Sequence, residues 1–274
     1  MNLNKIGVMQ GRLLPQVGKK IQAFPIKNWE KEFLYANSIG IKYLEWTLDY
    51  EDIFKNPIFT KKGIFKIRFL SKKYSIKIRS LTGDCFMQKP FWKRKKSDSL
   101  VKDLIKIIDA CSNLNIKKIV IPLVDKGSIK KKWHEKKLIN VFKSLKKYIE
   151  KKKILILFES DYKPIKLRNF IKNFNLKSFG INYDTGNSAS LGFDVKKEIL
   201  TYGKYIKGVH IKDRFYKGKT VRLGKGDANL LVFFRLLKSI HYNDFLILQT
   251  ARSEYKKDIE EIKTNLSYIN NLIK

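Results

Sequence analysis

The sequence predicts a closed (β/α)8 barrel. Short β-type runs alternate eight times with longer helix-type segments. Successive runs begin about 25 to 40 residues apart, the length of a strand–helix–strand unit. No Pro-, Gly- or Ser-rich linker divides the 274 residues, so a single domain over 1–274 is expected. The alternative is an open doubly wound sheet. Against it, the first strand-to-helix turn, Met9-Gln10-Gly11-Arg12-Leu13, is not a dinucleotide fingerprint.

The eight runs are apolar almost throughout, as strands of a parallel sheet covered on both faces must be. Lys5–Met9 leads into Gln10 and Arg12, and Ile41–Trp46 carries Glu45. Ile76–Thr82 is followed by Gly83-Asp84-Cys85, and Lys117–Pro122 by Asp125. Ile154–Glu159 ends on its glutamate. Ser178–Asp184 runs into Thr185-Gly186-Asn187. Tyr205–Ile211 holds His210 and continues as Lys212-Asp213-Arg214, and Phe245–Thr250 holds Gln249 just before Arg252. Helical spacing fills the intervals. Leu138, Phe142, Leu145 and Ile149 form one apolar stripe, and Ile259, Ile262, Leu266, Ile269 and Ile273 another. Asp227, before an apolar-periodic segment, is expected to be an N-cap.

Composition narrows the class. Hydrophobic residues make up 43%, too many for a disordered polycation. No apolar run reaches the ~20 residues of a membrane helix, and the first one, Ile6–Met9, is too short for a signal-peptide core. Cys85 and Cys111 form no metal or redox spacing. A reduced, cytoplasmic setting is the expectation. The net charge of +34 first suggests nucleic acid. Only nine of the 59 basic residues are arginine, however, and the lysines are spread over every helical segment. Such charge reads as solvated helix faces, with no specific nucleic-acid surface and no membrane partner.

In a (β/α)8 barrel the chemistry gathers at the C-terminal ends of the strands. Glu159, Asp184, His210 and Gln249 occupy that end of four consecutive strands. Together they offer three oxygens and one nitrogen, a donor set that suits one Mn2+, with Mg2+, Co2+ or Zn2+ as alternatives. Each has an ordinary structural explanation too. Glu159 fits a helix cap, Asp184 an Asx turn, His210 a satisfied core histidine and Gln249 a plain hydrogen-bonding residue. The joint pattern favours a site. Arg12, Lys212, Arg214 and Arg252 fall near the same mouth and suggest an anionic substrate, although they also suit bracing of rim carboxylates such as Asp84 and Asp213.

With these residues in place, the motifs Gly7-Val8-Met9-Gln10-Gly11-Arg12, Phe158-Glu159, Asp184-Thr185-Gly186-Asn187, His210-Ile211-Lys212-Asp213-Arg214, Gly224-Lys225-Gly226-Asp227 and Leu248-Gln249-Thr250-Ala251-Arg252 resemble the sugar phosphate isomerase/epimerase group. That group lies within the xylose isomerase-like TIM barrels. The resemblance implies one divalent metal held by Glu159, Asp184, His210 and the position of Gln249. It also implies α-proton abstraction from a ketose through a metal-stabilised enediolate, with Glu159 as base. Gln10, Arg12, Glu45, Asp84, Asn187, Arg214 and Arg252 are expected to bind a small sugar, phosphorylated or acidic, and a homodimer is common by resemblance. In the epimerase branches the last ligand is commonly Glu. An amide at Gln249 can ligate through its carbonyl but cannot take a proton. Lys212, Asp213 or Glu45 is then expected to return it, and a 1,2-isomerisation reusing one base fits better than a two-base epimerisation. A sugar-acid or inosose-type dehydratase shares the site. A barrel that has lost catalysis and only binds is the non-enzymatic reading. A trinuclear abasic-site endonuclease needs more histidines than His134, His210 and His241.

Overall fold

A computed structural model describes residues 5–18, 20–253 and 257–273. Eight parallel strands close into a barrel: β1 (Ile6–Met9), β2 (Tyr43–Thr47), β3 (Lys77–Thr82), β4 (Lys118–Leu123), β5 (Leu155–Ser160), β6 (Phe179–Asp184), β7 (Ile206–Ile211) and β10 (Leu246–Leu248). Around the ring the order is β1-β10-β7-β6-β5-β4-β3-β2. All eight expected strands are present, displaced by at most two residues at either end. The remaining strands, β8 (Asp213–Arg214) and β9 (Thr220–Val221), form a small antiparallel ribbon beside the mouth.

Alternation along β5 shows how the barrel is built. Ile156 and Phe158 point outward, and Phe158 packs with Phe142, Phe170, Phe174 and Phe179 at ring separations of 5.0 to 6.1 Å. Glu159 therefore points inward. The register carries this inward side around the ring. Pro122 pairs with Glu159, Asp184 with His210, and Ile247 with His210. Gln249 extends β10 by donating its backbone N–H to Ile211 O at 2.9 to 3.1 Å spacing typical of the ladder, here 3.0 Å.

A helix follows each barrel strand. The stripe through Leu138, Phe142 and Ile149 is fully buried, across Lys132–Ser144 and Lys146–Lys151. In the last helix, Asp258–Ile273, Ile262 and Ile269 are buried and Leu266 packs against the core. Caps are standard where the sequence supplies them. Thr60 accepts from Gly63 N, and Asp194 from Lys197 N. Asp227 is not an N-cap, contrary to expectation. The helix begins two residues later, at Leu230, with Asn229 accepting from Val232 N. Asp227 instead accepts from Tyr216 N, because the 224–228 loop is gathered beneath the ribbon. Among the described residues, no helix is long and apolar enough to cross a membrane.

Candidate active site

The strand ends bring Glu159, Asp184 and His210 together, all buried, with one ligand atom from each lying within 4.8 Å of the others. Their remaining contacts fix their orientation. His210 Nε2 lies 2.8 Å from Glu45 Oε1, deep in the barrel. With that N–H given to Glu45, Nδ1 faces Glu159 Oε2 at 3.0 Å. No hydrogen bond of acceptable geometry is made by His210 Nδ1, nor by Asp184 Oδ2. Buried polar atoms need partners, and these two, each met by a single ionic neighbour, converge where one shared partner would serve both. Gln249 Oε1 is a third buried atom with no hydrogen bond and belongs to a residue lining the same cavity. Three hard oxygens and one imidazole nitrogen fit a divalent cation.

Supporting contacts complete the floor. Asn182 Nδ2 donates to Glu159 Oε2 at 2.9 Å, and Asn187 Nδ2 donates to Glu159 Oε1 at 2.7 Å. Asp184 Oδ1 accepts from Asn187 N at 2.8 Å, and its Oδ2 lies 2.9 Å from Lys212 Nζ. Thr82 Oγ1 donates to Glu45 Oε1 at 2.6 Å. Burial works to raise the Glu45 carboxyl, but His210, Ser80 and Thr82 outweigh it and hold it below the ordinary range. For His210, burial favours the neutral ring, yet Glu45 and Glu159 raise it to about 10.

Above this floor lies a cavity of 440 Å³ lined by Arg12, Asp84, Glu159, Asn187, Lys212, Arg214 and Gln249, among others. Asp184 and His210 sit beneath it. Four expected site residues lie elsewhere. Gln10 is sealed in the barrel wall, its carbonyl oxygen accepting from Thr47 N at 3.3 Å. Glu45 is buried under His210 and supports the imidazole. Asp213 faces away from the cavity, its carboxylate saturated by the N–H groups of Gly224, Gly226 and Ala228. It builds the loop and is not placed to return a proton. Arg252 donates to Leu14 O at 2.8 Å and Ile21 O at 3.2 Å, and so pins the loop after β1. Its strand-end position is right, but its fork is spent on backbone.

Arg12 does line the cavity, although one nitrogen donates to Ile21 O at 2.5 Å. Burial, with Arg252 nearby, lowers it to about 9. Arg214 donates to Asn187 Oδ1 at 3.0 Å and to Gly218 O, so its charge reaches Glu159 through one amide. Asn187 thus brackets the Glu159 and Asp184 carboxylates as well as lining the cavity. Two contributors were not anticipated. Asn182 shares the inward face of β6 with Asp184, a period-2 signal present in the sequence. Glu32 lies on the helix Lys31–Ser38 and accepts from Gly11 N at 2.6 Å and Leu13 N at 3.4 Å, which shapes the turn carrying Arg12. Burial raises its carboxyl to about 8.

Comparison with known proteins accords with this geometry. The model of the xylose isomerase-like TIM barrel family matches residues 33–272. The chain belongs to that family. No curated protein matches the sequence. Among solved structures, this xylose isomerase-like barrel resembles an IolI protein with a bound zinc atom, at 17% identity and a TM-score of 0.75, covering 98% of each chain. It also resembles D-psicose 3-epimerase from Clostridium cellulolyticum H10, solved with D-tagatose (13%, TM-score 0.76, 98% of this chain and 99% of that one). A third is D-allulose 3-epimerase from Methylomonas sp. (16%, TM-score 0.78, 98% and 97%). At these identities the likeness establishes the shared fold. His134, in the helix Lys132–Ser144, and His241, in the turn after Leu230–Ser239, do not line the cavity of this barrel. The described residues offer one metal-type cluster, Glu159, Asp184 and His210, so nothing here favours a trinuclear nuclease centre.

Proposed function

We propose that this barrel is a divalent-metal-dependent sugar isomerase or epimerase, acting on a phosphorylated or acidic keto sugar. The convergence of Glu159, Asp184 and His210 on one point, with His210 Nδ1 and Asp184 Oδ2 met only by the ionic neighbours Glu159 and Lys212, carries the reading. Glu159, Asp184, His210 and Gln249 would hold the cation, with Mn2+ first among candidates. When bound, such a cation supplies Lewis acidity that acidifies the C–H beside a coordinated carbonyl. Glu159 then takes that proton, held in place by the amides of Asn182 and Asn187. Asn187 and Arg214 orient the base, and Arg12, Lys212 and Arg214 give the cavity its affinity for anions.

The test is exchange of substrate α-protons with D2O, followed by NMR over a panel of keto sugars and their phosphates with Mn2+ supplied. Glu159→Gln is expected to lower exchange about 10²–10⁴-fold. Full exchange by that variant removes Glu159 from its role, and activity that survives exhaustive chelation removes the metal. A dehydratase would share the exchange and add water loss to the product spectrum. A binding-only barrel would take up Mn2+ and exchange nothing.

A further inference from the structure

For an epimerisation, Gln249 would leave the site one proton carrier short. Inversion at carbon needs a group that accepts a proton and a second that donates one. Among the described residues, three carboxylates face the cavity: Asp84, Asp125 and Glu159. Asp125 is exposed on a rim turn. Glu45 is sealed under His210, Asp213 is held by three backbone amides, and Asp184 belongs to the ligand set. Apart from Glu159, only Asp84 is both buried, at 7% exposed, and open on one side to the cavity, and no donor hydrogen-bonds its carboxylate.

Resting on the isomerase reading above, we propose that Asp84 is the second proton-transfer group of the site, working with Glu159. Its backbone is fixed from both sides. Gly83 N donates to Val120 O on β4 at 3.0 Å, and Cys85 N donates to Leu48 O after β2 at 2.8 Å. In the closed ring β3 stands four strands from β7, so a molecule on the floor lies between Asp84 and the His210–Lys212 side. The charged groups around Asp84 are Asp49, Glu159, Arg12 and His210. Burial, then the two carboxylates, raise its carboxyl to about 7, so both protonation states are available near neutrality. Arg12 does not hydrogen-bond it, because its guanidinium reaches Ile21 O instead. Lys212 also faces the cavity, and its side chain is engaged by Asp184 at 2.9 Å.

The step balances without a co-reactant. Glu159 takes the α-proton as the C–H bond breaks, and the electron pair stays on the substrate as an enediolate. Asp84–COOH then gives its proton to the same carbon, forming a new C–H bond. Glu159 loses its proton to water and Asp84 regains one, and nothing is oxidised or reduced.

The experiment uses the full chain loaded with Mn2+, in D2O, with D-fructose, D-psicose, D-tagatose and their phosphates as probes. NMR reads α-proton exchange and inversion separately. Asp84→Asn is expected to keep exchange within a few-fold while losing inversion by about 10²-fold or more. Glu159→Gln is expected to lose both. Undiminished inversion in Asp84→Asn overturns the proposal and passes the role to Lys212. Joint loss of exchange and inversion in that variant also overturns it, since Asp84 would then only bind. A wild-type protein that exchanges no probe sinks the isomerase reading itself. Independently of any sugar, infrared difference spectra of wild type against Asp84→Asn should show a protonated carboxyl band near pH 6 that the substitution removes. Its absence means Asp84 holds no proton to give, and the proposal fails.

Discussion

His210 lies between two carboxylates, and that placement has measurable consequences. Glu45 takes the Nε2–H and so aims Nδ1 at Glu159 and toward Asp184. A partner of this kind contributes about 10–100-fold in metal affinity. We expect Glu45→Gln to weaken Mn2+ binding by that factor in calorimetry, and an unchanged affinity would make Glu45 merely structural. Because the metal-free imidazole is raised to about 10, loading the site at pH 7.5 must release a proton. Titration in two buffers of different ionisation enthalpy would count it, and a count of zero contradicts the ligand assignment. The convergence of Glu159, Asp184 and His210 was legible because each is a polar side chain at the end of an apolar run. Arg252 and Gln10 were misread because a strand-end position does not say whether a side chain reaches the cavity or nearby backbone. Glu32 gave no signal, since a glutamate in a helix ordinarily faces water.

At the scale of elements, strand β5 joins core and chemistry through adjacent residues. Phe158 anchors the aromatic cluster outside the barrel while Glu159 projects inside. Phe158→Ala should cost about 3–5 kcal/mol, measured by chemical denaturation. Metal affinity of the fraction still folded should fall as well, because Glu159 loses its rigid neighbour. The loop after β1 is tied at its base by Glu32 and along its length by Arg12 and Arg252. Glu32→Ala would strand the Gly11 and Leu13 amides, at a cost on the order of 1–3 kcal/mol, whereas Glu32→Gln keeps an acceptor there. Equal losses in the two variants would show that the hydrogen bonds do not matter. The strands were legible from their unbroken apolar runs. The helix after β7 was placed too early because Asp227 and Asn229 are both competent caps, and only the tertiary pull of Asp213 on the 224–228 loop decides between them.

Over the whole molecule, three buried acids are displaced in one direction. Glu32, Asp84 and His210 are held at about 8, 7 and 10, each above its ordinary value. A group raised on folding stabilises below its unfolded value, and the contribution is lost as pH climbs through the folded one. The carboxyls lose theirs between about 4 and 8, and the imidazole between about 6.5 and 10. The Tm of the metal-free chain should therefore fall from pH 5 to pH 9, and saturating Mn2+ should remove the histidine part of that slope. A Tm rising over this window would contradict the burial of these groups. The +34 net charge is not concentrated near them. Some of it sits on exposed lysines whose ammonium lies over an aromatic ring, as Lys106 does over Phe54 and Lys166 over Tyr162.

The ion pair between Lys212 and Asp184 bears on the proposed metal site, because Asp184 Oδ2 is one of the oxygens that would hold the cation. An incoming ion must evict an ammonium to claim that atom. A monovalent ion only trades one positive charge for another and gains little, whereas a divalent ion adds one where four polar ligands await it. On the proposed ligand set, the lysine would therefore favour divalent over monovalent occupants of that oxygen. Its displacement would leave an unpaired ammonium beside the cavity that Lys212 already lines, and so favour an anion there.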